Sequence, residues 1–197
     1  MLAGTITSWG QGTLVYDQQI GVPPEGSVII QGNQPIGQSF TPALSSIGFI
    51  QLEIGDDNSS GAGATVIVDV RSGSITGTIL GTSTVTIPAG FNGIVSDSPL
   101  IRGPLFYFST PVSVTPGTTY FFDVNVQAGG DTCSLAEMSS DSYGGGTSFY
   151  NGAAFPNNDT WFGEGIVVVP EPSVTWLALA GGGVFLCFRH WKIRPAN

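Results

Sequence analysis

Residues 64–73, ATVIVDVRSG, alternate apolar and polar side chains and then stop at Ser-Gly. In an extended chain successive side chains point to opposite faces. Val66, Val68 and Val70 therefore share one face, with Asp69 and Arg71 opposite. That is the pattern of a strand covered on one side only. It recurs along the chain. GFIQLEIG puts Ile50, Leu52 and Ile54 on one face, with Gln51 and Glu53 opposite; TTYFFDVNV puts Tyr120, Phe122, Val124 and Val126 on one face, with Asp123 and Asn125 opposite. PLFYFS and GEGIVVV are two further strand candidates. Turn chemistry separates the segments: Asp56-Asp57-Asn58, Ser72-Gly73, Pro88 to Gly90, Pro116-Gly117 and Gly129-Gly130. Parallel pairing is disfavoured, because it needs long crossovers and no helical stretch supplies them. The pattern predicts an all-β chain folded as an antiparallel β-sandwich over residues 1–169.

Charge narrows the function classes. The chain carries five Lys or Arg against fourteen Asp or Glu, for a net charge of −9. Three of the five basic residues, Arg189, Lys192 and Arg194, stand together at the end, so the body of the chain is more acidic still. An acidic surface repels phosphate backbones, so nucleic acid is excluded as a partner. The single histidine is His190, inside that basic tip. A Ser-His-Asp or Cys-His catalytic site, and a histidine-bound zinc or copper site, are thereby excluded from the sandwich within one chain. Cys133 and Cys187 fall in different environments and are not expected to pair; Cys133 reads as a small buried residue or a free thiol. Glu25, Glu53, Glu137 and Glu164 are scattered, so a two-carboxylate glycoside hydrolase remains an alternative without a specific signal. The chain is not read as an enzyme.

Two binding patterns stand out. Asp56, Asp57 and Asn58 crowd three oxygen-bearing side chains into one turn. Calcium takes six to eight oxygens and is the one cofactor candidate, with Asp131, Asp141 and Asp159 in later loops as further donors. Ordinary turn chemistry explains the same three residues, since Asp and Asn bond their own backbone there. Tyr143, Phe149, Tyr150 and Trp161 cluster in a Gly- and Asn-rich region, where aromatic faces would form a sugar platform oriented by Asn151 or Asp159. The alternative is that these rings belong to the core.

The C-terminus differs from the rest. Residues 174–188 carry no charge. As a helix they would span ~22 Å, short of the ~30 Å hydrocarbon core. Trp176 and Trp191 bracket the run as interface aromatics do, and Arg189, Lys192 and Arg194 would hold its end on the cytoplasmic side. Gly181, Gly182 and Gly183 weaken the helix in its middle. The expectation is one short transmembrane helix, held in the membrane transiently.

The order Pro170-Glu171-Pro172, apolar run 174–188 and basic tip 189–194 resembles the PEP-CTERM sorting signal of Gram-negative bacteria. The resemblance covers residues 170–197 and implies recognition by an exosortase, a membrane cysteine protease-transpeptidase, with processing at or near Pro170, Glu171 and Pro172. It further implies export through the inner membrane to the cell surface or extracellular matrix, in association with exopolysaccharide or biofilm. That family carries an N-terminal secretory signal; the opening MLAGTITSWGQ has neither a positive n-region nor an apolar h-region, so the expectation is a signal peptide encoded upstream of Met1. The order GQSFTP, then STPVSVTPGTTYFFDVNV, then DSYGGGTSFYNG resembles jelly-roll ectodomains of exported proteins. The chain is thus read as a structural or adhesive matrix component and an exosortase substrate. A carbohydrate-binding module, calcium-dependent or not, is the alternative.

Overall fold

The computed structural model describes residues 12–93 and 103–169. The chain divides into two compact units: Leu14–Val167, and Met1–Thr13 with Val168–Asn197. Of the second, only residues 12, 13, 168 and 169 are described. The expected helix at 174–188, the Pro170-Glu171-Pro172 motif and the basic residues Arg189, Lys192 and Arg194 lie outside the described residues. Among the described residues there is no α-helix, and none long and apolar enough to cross a membrane.

The all-β expectation holds. The first sheet orders β1 (Thr13–Gln19), β14 (Phe162–Val168), β4 (Ser46–Leu52) and β8 (Leu105–Ser113). The largest orders β12 (Ala153–Phe155), β11 (Ser148–Tyr150), β3 (Gly37–Phe40), β9 (Tyr120–Val126), β6 (Ala64–Ser72) and β7 (Thr78–Ile87), all antiparallel. A smaller sheet centres on β10 (Cys133–Met138), which pairs antiparallel with β2 (Gly26–Ile29), β5 (Ile54–Asp56) and β13 (Asp159–Thr160).

The first two sheets face each other across an aromatic core. Phe40 and Phe122 of the large sheet meet Phe162 of the other at 6.1 and 5.4 Å between ring centroids. Val66, Val68, Val70, Tyr120, Phe122 and Val124 are buried on the inner face as their alternation predicts. The result is a β-sandwich-like layer pair, closed because each sheet must bury its apolar face against another. The small sheet grows from the first by strands that change partner: β4 passes into β5 across Glu53, and β13 into β14 across Trp161. Such corners let one strand serve two sheets.

One strand departs from expectation. Gln51, placed on a solvent face by its alternation, is wholly buried. Tyr16 from β1 reaches over β14 to donate its hydroxyl to Gln51 Oε1 (2.7 Å), and its ring meets Phe49 edge-on at 5.1 Å. Gly163 makes the passage: a Cβ there would sit 2.9 Å from the Tyr16 ring. A buried amide needs such a partner, since an unpaired polar group in the interior costs ~1–3 kcal/mol.

Candidate functional site

The small sheet carries an acidic cleft of about 370 Å³. Glu25, Glu53, Asp56 and Asp57 line it with Ser27, Ser134 and the Phe91–Gly93 segment. Antiparallel pairing of β10 with β5 sets Cys133 opposite Asp56 and Ser134 opposite Gly55, which brings Asp56 and Asp57 beside Ser134. The Ser134 hydroxyl donates to Asp57 Oδ2 (2.5 Å). The Ser139 backbone and hydroxyl both donate to Glu25 Oε2. Among the described residues no Lys or Arg lines the cleft.

Asp56 and Asp57 thus reach the cleft, and Asn58 does not. Asp56 Oδ1 accepts the N–H groups of Asn58 (2.8 Å) and Gly90 (3.0 Å), a turn-closing pattern. Asn58 Oδ1 accepts from Ser60, and its amide donates to Asp131 Oδ1 (3.2 Å). Asp131 Oδ2 accepts the Gly63 N–H (2.5 Å). Asp159 lies elsewhere, buried, holding the Gln38 amide and the N–H groups of Ser142 and Tyr143. Among the described residues no three His, Cys, Asp or Glu side chains converge as a metal-holding group. One atom is left over: Asp56 Oδ2 is buried and has no hydrogen-bond partner.

Cys133, wholly buried behind this loop, has its thiol pushed up to about 11 by burial and then by the charges of Asp56, Asp57 and Asp131. A nucleophilic cysteine needs the opposite surroundings. The four glutamates named as carboxylate candidates fall in three places. Glu25 and Glu53 share the cleft, Glu137 accepts the Tyr150 hydroxyl (2.8 Å), and Glu164 is wholly buried on β14.

The four-ring sugar platform is corrected by burial. Trp161 is wholly buried and donates its indole N–H to Val22 O (2.9 Å). Tyr150 is buried too, turned inward with Ser148. Tyr143 packs edge-on against the core residue Phe162 at 5.0 Å, and its hydroxyl accepts the Thr41 N–H (3.0 Å). Only Phe149 points to the outer face of the large sheet, between inward-facing Ser148 and Tyr150. There it meets Phe121 at 5.6 Å, a partner that sequence reading passed over. Ring content alone does not tell an inward strand position from an outward one; register does.

That outer face also holds a charge cluster not foreseen as a unit. Arg71 Nη2 lies 2.9 Å from Asp69 Oδ2 and 3.0 Å from Asp123 Oδ2. Arg71 is the one Lys or Arg among the described residues. The alternation of ATVIVDVR and TTYFFDVNV already put these three side chains outward; only the pairing of β6 with β9 makes them neighbours.

No model of a known protein family matches the chain, and no match is found among curated proteins.

Proposed function

We propose that this chain is an exported cell-surface or extracellular-matrix protein, a structural or adhesive component associated with exopolysaccharide. In this reading a jelly-roll-like ectodomain is delivered by its C-terminal segment. The observation that carries it is the order of three features at residues 170–194: Pro170-Glu171-Pro172, an uncharged run, and the tip with Arg189, Lys192 and Arg194. A run too short for a stable span, with glycines at its centre, suits a brief stay in the membrane. An exosortase recognises the segment and cuts at or near Glu171, and the basic tip keeps the end cytoplasmic meanwhile. The acidic body of the chain supports a partner other than nucleic acid. The test is Glu171→Ala expressed in an exosortase-bearing host behind an export signal. The variant should stay full-length in the membrane fraction while the parent is shortened and released. Equal processing of both would overturn the reading.

The leftover Asp56 Oδ2 favours a second reading for the cleft: a calcium ion bound by Asp56 and Asp57, completed by backbone oxygens and water. Calcium should then raise the melting temperature of the parent and leave Asp56→Asn unchanged. A parent indifferent to millimolar calcium would remove this reading.

A further inference from the structure

The inner face of β14 holds a buried acid that neither the cleft nor the C-terminal segment uses. Glu164 shares that face with Phe162, two positions back, so its side chain enters the space between the sheets. It is wholly buried, and neither carboxyl oxygen has a hydrogen-bond donor. β1 flanks β14 on one side and β4 on the other. β4 sets Ile50 opposite Glu164, and residues 41–44 carry no ionisable side chain. The ionisable groups that face Glu164 among the described residues are Asp17 of β1 and Tyr143 of the segment before β11. Neither offers a positive charge. Burial, and after it the Glu164 and Asp17 charges, push the Tyr143 phenol up against the pull of the Thr41 N–H.

β1 is the lightly held neighbour. It stands at the edge of its sheet and pairs with β14 alone. None of its residues is fully buried, whereas residues 162–165 of β14 all are. Two glycines seat it: a Cβ on Gly165 would stand 2.0 Å from Val15 O, and one on Gly163 would stand 2.9 Å from the Tyr16 ring. Glu164 lies between those seats. Three further bonds fasten the strand. Tyr16 donates to Gln51 Oε1 (2.7 Å), Asp17 Oδ2 accepts the N–H groups of Ala43 (2.7 Å) and Leu44 (2.8 Å), and just past the strand the Ile20 N–H donates to Phe162 O (3.0 Å). Asp17 is therefore both the clasp of β1 on residues 43–44 and the charge set against Glu164. Arg71, the one described cation, is engaged elsewhere by Asp69 and Asp123.

In the closed chain the two carboxyl groups need one proton between them. Once it leaves, two carboxylates face each other where no cation compensates. The chain relieves them either by unfolding throughout or by letting one carboxylate move out. Asp17 sits on the strand with least burial to lose, and its departure lets water reach Glu164. Local openings of this kind start at lightly packed edges. We propose that β1 is a strap that alkaline pH releases: loss of the proton held between Glu164 and Asp17 frees residues 14–19 from the edge of β14 while the other strands stay paired. The opening constant rises about tenfold per pH unit wherever the closed chain keeps the proton that the open chain has lost. Release uncovers the buried Phe49 ring, against which Tyr16 packs at 5.1 Å, and bares the backbone groups of β14 to another strand. The strap depends on neither export nor calcium.

Native-state hydrogen exchange of the full chain at pH 5 and pH 8 tests it, read as protection factors so that the intrinsic pH dependence of exchange drops out. The amides of Ile20, Ala43 and Leu44 report release of the strap. The Val124 N–H, bonded to Ile36 O (2.8 Å) in the large sheet, reports unfolding of the whole. At pH 8 the three should be protected at least tenfold less than Val124, and their protection should fall about a hundredfold or more from its value at pH 5. Glu164→Gln should keep at pH 8 the protection it has at pH 5. Asp17→Asn should lose most of the pH dependence too, since its amide oxygen still accepts from residues 43–44 while its nitrogen can donate to Glu164. The second variant keeps the test decisive if the first fails to fold. Protection at the three amides equal to that at Val124, or the same pH dependence in the parent and the folded variants, would overturn the strap.

Discussion

Glu164 lies against Asp17, two carboxyl groups side by side with no basic group between them. Glu164 is wholly buried, and neither of its oxygens receives a hydrogen bond from a donor group. Asp17 Oδ2 is already occupied, accepting the N–H groups of Ala43 (2.7 Å) and Leu44 (2.8 Å). Two carboxyl groups can bond each other only if one keeps its proton, and Glu164 is the one that does. Burial first, and the Asp17 charge second, push it up to about 8.

Stability should therefore fall as pH rises from about 4.5 to about 8. In that window the unfolded chain has lost the Glu164 proton and the folded chain still holds it, so raising pH favours unfolding. Each pH unit costs up to ~1.4 kcal/mol from this group, and above about 8 the loss is complete. Glu164→Gln keeps the amide neutral and should flatten the slope, being more stable than the parent at pH 8. Urea unfolding midpoints at pH 5 and pH 8 measure both. Parallel pH slopes for parent and variant would refute the shared proton.

Arg71 answers for two cross-strand carboxylates at once. Asp69 and Asp123 face each other directly between β6 and β9, on a face where each is under a tenth exposed. Burial already raises Asp123, while Asn125 and Arg71 pull it back. Arg71→Met should cost about 3–5 kcal/mol, because it strands buried like charges. Adding Asp69→Asn and Asp123→Asn to that variant should recover most of the loss in guanidinium unfolding. An Arg71→Met chain as stable as the parent would show that the cluster is not held by the guanidinium.

Gly163 should resist any side chain while Tyr16 crosses it. Gly163→Ala meets a ring atom at 2.9 Å and should cost ~1–3 kcal/mol, the range for overpacking. Tyr16→Ala removes the obstacle along with the hydrogen bond to Gln51. The double variant should then be clearly less destabilised than the two single losses added together. Strict additivity in thermal unfolding would mean that the ring does not set the requirement for glycine.

Much of the strand grammar was legible because it is local. The alternation of Val66, Val68 and Val70, and of Tyr120, Phe122 and Val124, names the inner face without reference to any partner, since the period of two is a property of the extended backbone. Gln51 misled for the same reason. Its polar side chain reads as outward until Tyr16, thirty-five positions away, covers it. Trp161 and Tyr150 misled in the other direction, because a large ring is equally at home in a core or on a binding face.

The sequence by itself determined the strand-forming character of this protein, its acidity, the confinement of its one histidine to the C-terminal tip, and the three-part order at that end. All of these are written in neighbouring residues or in simple counts. Only the tertiary structure decided which strands pair and in what register. That decision set Asp123 opposite Asp69 with Arg71 beside them, brought Phe149 to Phe121, and closed Glu164 against Asp17. The physical reason is that pairing is a contest among distant segments, settled by how all of them together bury their apolar faces. No short stretch carries that outcome.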